Sequence, residues 1–221
     1  MLIGIYGLGR FGAFWASLCR TLPGVAAVRA YNRSDRPTPE GVVRVDLDGL
    51  MECDVLFLCC AISAMPEVCR NLAPLVRPGT LVVDTCSVKV WPVQQMLERF
   101  EPGVDIVARH AMFGPDAARN GLAGLPMRMA PIRVPPARFQ ELSAAFAALG
   151  LKMIIMSPDE HDRQAARTQG ITHYVGRLLD ELGLESSEIA TLGYRKLAEI
   201  TEQTCNAPWQ LFVDLQRYNP Y

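Results

Sequence analysis

His110 is one of only three histidines in this 221-residue chain, and it follows an apolar run over 104–108 that reads as a strand. An imidazole at a strand end is a proton acceptor placed where open α/β sheets gather their ligands. Near the start of the chain, Gly7-Leu8-Gly9-Arg10-Phe11-Gly12 fits G-x-G-x-x-G, directly after one strand-like run and ahead of a helix-like one. Gly7 allows the tight turn, Gly9 lets the backbone approach a pyrophosphate, and Gly12 lets helix and strand pack closely. The helix start, with Leu8, Arg10 and Phe11 around it, presents unpaired N–H groups to phosphates. Alone this pattern is weak, and a structural glycine turn would satisfy it; the strand–turn–helix setting argues for the dinucleotide. A dinucleotide and a titratable imidazole together suit hydride chemistry, in which a base takes an alcohol proton as the carbon gives up its hydride.

The end of the second strand bears on which dinucleotide. An NAD site usually places Asp or Glu there to bond the ribose 2′-hydroxyl. This chain has Asn32-Arg33-Ser34. A guanidinium beside a hydroxyl suits a 2′-phosphate, so NADP is expected ahead of NAD. Asp35, one residue on, leaves NAD possible, and a solvated polar turn has the same composition.

The elements that must position these groups alternate. Strand-like runs over 2–6, 25–31, 42–45, 54–61, 80–84 and 104–108 are separated by helix-like stretches over 13–21, 66–76 and 90–100. The unbroken apolar run over 54–61 is a central strand covered on both faces. Strands over 127–134 and 151–156 bracket a helix over 137–149. Beyond Pro158 only helical periodicity remains. Ser157 is an N-cap with Pro158 after it and Glu160 three residues on, opening a helix to Leu182 that stops at Gly183; a second helical stretch covers 187–216. The expected fold is α/β: a Rossmann-type, doubly wound, mainly parallel sheet over 1–157 and a smaller all-helical domain over 158–221. Cys60, Ala61 and Ser63 would line the nicotinamide at the end of the central strand, and Ser87 and His110 would meet on adjacent strand ends.

Half the residues are apolar and 20% charged, the balance of a packed protein, and the net charge of −1 without a basic run argues against nucleic acid or an anionic membrane. No apolar run approaches the ~20 residues of a membrane span. The first strand at Leu2 leaves no room for a signal peptide, and the seven scattered cysteines read as reduced core residues, so a cytoplasmic protein is expected.

The segments VVDTCSVK, RHAMFGPD and MSPDEHDRQAARTQGITHYVGR resemble the prephenate/arogenate dehydrogenases of tyrosine biosynthesis, and the resemblance runs from GLGRFG to QLFVDLQRYNP. It is strongest with the subgroup that includes plant arogenate dehydrogenases, which commonly use NADP. The resemblance implies oxidative decarboxylation of arogenate or prephenate, with hydride leaving C4 for the nicotinamide and the ring carboxylate lost. It implies that His110 accepts the hydroxyl proton and that Ser87 bonds the same hydroxyl and holds the histidine. Ser87 could equally cap the following helix. It also implies a homodimer formed through the helical domain.

Lys89 could offer charge to a substrate carboxylate or sit on a solvated first turn. Gln169, His173 and Arg177 recur at steps of four, on one helical face, and suit a dianionic substrate; Arg177 alone could be a solvent-facing charge. His161-Asp162 matches a family motif, but an Asp at a helix N-terminus is explained by the helix dipole, and the pair has no partner ligands at metal spacing. The chain departs from the family at His110-Ala111, where His-Pro is common, and at 200–203, which lacks the usual arginine. Arg195 is the remaining substrate candidate there. Another NAD(P)-linked reductase of a small carboxylate, or a dinucleotide-binding sensor without catalysis, are the competing readings.

Overall fold

The computed structural model describes residues 1–185 and 187–221. Eight strands form one sheet in the order β3-β2-β1-β4-β5-β6-β7-β8. They are β1 (Leu2–Tyr6), β2 (Ala27–Tyr31), β3 (Val43–Arg44), β4 (Val55–Leu58), β5 (Leu81–Asp84), β6 (Asp105–Ala111), β7 (Pro126–Arg133) and β8 (Lys152–Ile155). The first six are parallel in the 3-2-1-4-5-6 order of a Rossmann sheet, as the alternating pattern predicts. β7 joins β6 antiparallel and carries β8 with it.

Register sets the position of the strand ends. Tyr6, Leu58, Asp84 and Ala108 are paired in one row across β1, β4, β5 and β6. β6 continues three residues past that row, because β7 keeps pairing with it through His110↔Arg128 and Ala111↔Met127. The strand expected to stop at Ala108 therefore contains His110, which stands beyond its neighbours' ends.

Helices α1 (Arg10–Cys19) and α5 (Pro136–Ala147) cover one face of the sheet, around Trp15, Phe57 and Phe146. Helices α3 (Met65–Leu72) and α4 (Val90–Arg99) cover the other, around Leu56, Leu72 and Met96. The strands β4 and β5 are buried at every position, as an apolar run between two helical layers must be. The short α2 (Leu47–Met51) was not legible as periodicity; Asp46 starts it by accepting from the Gly49 N–H.

The helical remainder comprises α6 (Pro158–Ala165), α7 (Ile171–Glu181), α8 (Leu192–Cys205) and α9 (Trp209–Tyr218). Ser157 caps α6 as expected, through the Glu160 N–H at 3.1 Å. The single helix expected from Pro158 to Leu182 is interrupted by a π-helical turn, Ala166–Gly170. The second expected stretch is also divided, with Pro208 leading into α9.

α9 returns to the sheet. Leu215 enters the core beside α3 and α4, Tyr218 stacks on Trp91 at 5.3 Å, and the buried Asp214 carboxylate accepts from Ser63 N at 3.0 Å and Ser63 Oγ at 2.9 Å. The helical segment thus shares a core with the sheet and closes over its strand ends.

Lys89 is neither solvated nor directed at a ligand. It is fully buried, ion-paired to Asp84 and donating to the Arg109 carbonyl at 2.7 Å. Asp84 also accepts from Cys86 N at 3.0 Å, so the pair fixes the turn after β5. Lys89→Met should destabilise the protein by about 3–5 kcal/mol in urea unfolding, since it strands a buried carboxylate. Lys89→Met with Asp84→Asn should recover part of that loss. Equal losses for single and double variants would mean that the ion pair is not the source.

Candidate active site

The ends of β1, β4, β5 and β6, the segment after β6 and the inner faces of α7–α9 enclose a cleft of about 630 Å³. On the sheet side its wall is the glycine turn. Gly7 has φ +104°, and a Cβ there would lie 2.4 Å from the Cys59 carbonyl oxygen. A Cβ on Gly12 would lie 1.9 Å from the Gly7 oxygen, whereas one on Gly9 would meet nothing within 4 Å. The close approaches at Gly7 and Gly12 and the open face at Gly9 are what a pyrophosphate over this turn requires. No side chain caps α1, so its first N–H groups are free for phosphate oxygens.

Gly9, Arg10, Phe11 and Gly12 line the cleft, and so do Cys60 and Ala61. Leu8 and Asn32 shape the turn: Leu8 N donates to Asn32 Oδ1 at 2.8 Å. Arg33 and Ser34 are exposed beside it. Arg44, which sequence reasoning passed over on its edge strand, donates to the carbonyls of Asn32 at 2.7 Å and Ser34 at 3.2 Å, bringing a second guanidinium there. Ser63 is not among the residues that line the cleft; its N–H and hydroxyl donate to Asp214, which does line it.

His110 and Ser87 both line the cleft. Among the described residues no hydrogen bond joins them. The partner of His110 is His161, with Nδ1 of His110 2.9 Å from Nε2 of His161. His161 Nδ1 is in turn 2.7 Å from Asp162 Oδ1. Asp162 also accepts from Lys89 N at 2.7 Å and Val90 N at 2.8 Å. It thereby caps α4 from another element, a role the sequence had offered to Ser87. The HD pair of α6, set aside as a dipole effect, is what supports His110. Its motif match was the available signal; the contact across 51 residues was not visible in the spacing.

Burial, then His161, Lys89, Arg109 and Arg128, push His110 well below the usual imidazole range. Burial also lowers His161, against the opposing pull of Asp162. Both rings are therefore neutral near pH 7, and His110 has a lone pair to accept a proton.

On the helical side, Gln169 from the π-helical turn and His173 from α7 line the cleft, together with Thr168, Thr172 and Gln203. Arg177 is not brought in. It lies one further turn along α7, donates to the Ala207 carbonyl and sits 5.3 Å over the Trp209 ring. Arg195 is solvent-exposed on α8, away from the cleft. The cleft's helical wall therefore offers amides, hydroxyls, an imidazole and the Asp214 carboxylate beside apolar residues, and none of its lining residues is an arginine.

A Rossmann sheet with an open glycine turn at its switch point, closed by a helical tail, defines a dinucleotide-binding fold of the dehydrogenase kind. Two family descriptions match the sequence: "Prephenate dehydrogenase, nucleotide-binding domain" over residues 41–127, and "TYRAAT1-like, C-terminal domain" over residues 178–221. Arogenate dehydrogenase 1, chloroplastic, of Arabidopsis thaliana is 37% identical over 99% of this chain and 36% of its own length. Arogenate dehydrogenase 2, chloroplastic, of the same plant is 36% identical over 76% of the chain and 48% of its own length. This chain belongs to the prephenate/arogenate dehydrogenase family. It spans between about a third and a half of the length of those two relatives. In fold, it is similar to a prephenate dehydrogenase of A. aeolicus solved with hydroxyphenyl propionate and NAD+ (TM-score 0.75, 17% identity, 99% of this chain and 82% of that one). It is also similar to Synechocystis arogenate dehydrogenase (TM-score 0.66, 21% identity, 99% and 88%). Among the described residues, no helix is long and apolar enough to cross a membrane.

The lowered histidines link stability to pH. A histidine with a depressed folded-state pKa binds more protons when unfolded. Its stabilising contribution is complete above ~6.5 and is lost as the pH falls below that value. Tm should drop between about pH 7.5 and about pH 5.5, and His161→Gln should flatten the drop. A Tm that holds steady for the unaltered protein over that span would contradict neutral burial of these rings.

Proposed function

We propose that this chain catalyses the NADP-linked oxidative decarboxylation of arogenate or prephenate. The observation that carries the reading is the position of His110, in one cleft with the glycine turn on one side and Gln169 and His173 on the other. When bound, the nicotinamide supplies the hydride acceptor. His110 takes the C4 hydroxyl proton as C4 gives up its hydride. The ring carboxylate leaves as carbon dioxide, its bonding electrons complete the aromatic ring, and the phenol oxygen regains a proton. Ser87 bonds the reacting hydroxyl, and Gln169, His173 and Thr172 receive the acid groups. The product is tyrosine or 4-hydroxyphenylpyruvate. The names of the two Arabidopsis relatives support arogenate.

Arg33 and Ser34, with Arg44 beside them, support NADP over NAD, because two guanidinium groups and a hydroxyl suit a 2′-phosphate. The test is turnover of prephenate and arogenate with each dinucleotide. Reduction of NADP by one of the two is expected, and no reduction by either would reject the reading in favour of a sensor or another reductase. His110→Asn should lower turnover about 10²-fold or more with dinucleotide affinity kept. Arg33→Ala should weaken NADP more than NAD, and equal losses would remove the phosphate assignment.

We also propose a homodimer formed through α7. Ile171, Tyr174, Leu178 and Leu182 are each more than half exposed and follow one another at helical spacing along that helix. Sedimentation should report a dimer that Tyr174→Glu with Leu178→Glu dissociates. A monomer at micromolar concentration would dispose of this assignment.

A further inference from the structure

We propose that His161 fixes the tautomer of His110 and serves as the second station for the proton His110 removes, an inference that rests on the reaction proposed above. The argument begins at Asp162. Two backbone N–H groups, Lys89 and Val90, address its carboxylate at 2.7 Å and 2.8 Å, so the carboxylate acts as an acceptor. His161 Nδ1, 2.7 Å from the same carboxylate, therefore carries its proton. A neutral imidazole has one N–H, which leaves Nε2 of His161 as a lone pair. His110 Nδ1 lies 2.9 Å from that lone pair and must be the donor. The lone pair of His110 is therefore on Nε2, the nitrogen without a partner among the described residues, on a ring that lines the cleft. The hydrogen-bond chain thus presents the base in its reactive tautomer before any ligand arrives.

The same chain gives the proton a destination. The substrate O–H bond breaks and a bond to His110 Nε2 forms. The N–H bond at His110 Nδ1 then breaks, and that proton joins His161 Nε2. His110 is left neutral as the Nε2–H tautomer, and His161 becomes an imidazolium that still donates to Asp162. No electrons move in this transfer; the hydride has gone to the nicotinamide. The reverse shift returns a proton to the phenol oxygen formed when the carboxylate leaves.

The surrounding charges favour His161 as the holder. Lys89 at the head of α4, Arg109 on the opposite face of β6 and Arg128 on β7 disfavour a cation on His110; Lys89 and Arg128 act on His161 as well, but there Asp162 opposes them. Asp84 on β5 is engaged with Lys89. Asp162 on α6 is bonded to His161 and not to His110. His161 is a positioning residue in this scheme, since it acts on the substrate only through His110.

Only three histidines are present, so 15N–1H spectra of histidine-labelled protein can be assigned from single variants. In the unaltered protein at neutral pH, His110 and His161 should both be protonated on Nδ1 and bare on Nε2. A His110 ring protonated on Nε2 overturns the inference, and this reading does not depend on finding the right substrate. His161→Gln keeps an acceptor for the His110 Nδ1–H but has nowhere to hold a proton. With the substrate that the unaltered enzyme turns over, kcat should fall about tenfold or more, with KM within about threefold. The acid limb of its kcat profile should move to lower pH, because protonating His161 no longer reverses the His110 tautomer. A fall in kcat with the acid limb unmoved would mark a merely structural role and sink the proposal, as would an unchanged kcat. Failure of both prephenate and arogenate with the unaltered protein would reject the proposed reaction instead, and the tautomer spectrum would still decide the His110–His161 arrangement.

Discussion

Asp162 is fully buried, and its oxygens are all engaged. Oδ1 accepts from Lys89 N and His161 Nδ1, Oδ2 from Val90 N, and its backbone carbonyl from Asn219 Nδ2 at 2.9 Å. Taking a carboxylate out of water costs several kcal/mol, and hydrogen bonds to a charged group return roughly 1.5–3 kcal/mol each. The four contacts come from the start of α4, from α6 itself and from the chain terminus. The side chain therefore joins the head of α4 to the first tail helix beside the His110 ring, while the backbone carbonyl of the same residue holds Asn219. If the carboxylate were released, the head of α4 and the histidine pair would lose their common reference.

Around that carboxylate the protein buries an unusual amount of charge. Lys89, Arg109 and Arg128 are each no more than 1% exposed, and long cationic side chains are almost never so buried unless paired. Lys89 is paired with Asp84. Among the described residues the Arg109 guanidinium has no hydrogen-bond partner; it lies 3.6 Å over the Trp15 ring, and burial pushes it down to about 10. Arg128 donates to the Met156 carbonyl and is lowered by burial to about 10 as well. Such groups lower stability relative to an apolar core. All three act on His110 and lower it, the arrangement expected where pKa values are set for chemistry.

The parts legible in the sequence are those governed by local rules. The glycine turn, the buried central strands and the Ser157 cap each follow from a few neighbouring residues. The parts that were not legible depend on contacts across the fold. Lys89 and Arg177 are polar residues on predicted helices, and only the packed structure reveals that one enters the core and the other binds the α8–α9 connection. Helical spacing placed Gln169, His173 and Arg177 on one face. It could not show that another turn, about 5.4 Å along the axis, carries Arg177 past the cleft. The π-helical turn leaves no periodic trace either, because one widened turn is within the scatter of an apolar pattern. His161 was visible as half of a motif, but its purpose needed the β6 extension that β7 pairing creates.

That extension also explains how a cleft without a guanidinium on its helical wall can suit an anion. Three buried cations, Lys89, Arg109 and Arg128, lower the basicity of His110; of the buried carboxylates, Asp84 is engaged with Lys89, Asp162 with His161, and Asp214 lines the same cleft while accepting from Ser63. In a low-dielectric interior these charges act on the ring with little screening. Burial first, and these cations second, keep His110 neutral, and the same cations favour an anion held beside the ring. Once such an anion is bound, its charge offsets the field, and a proton on His110 or His161 becomes less costly. A base lowered by burial and neighbouring cations thus gains basicity when an anion is bound beside it, without any movement of the chain.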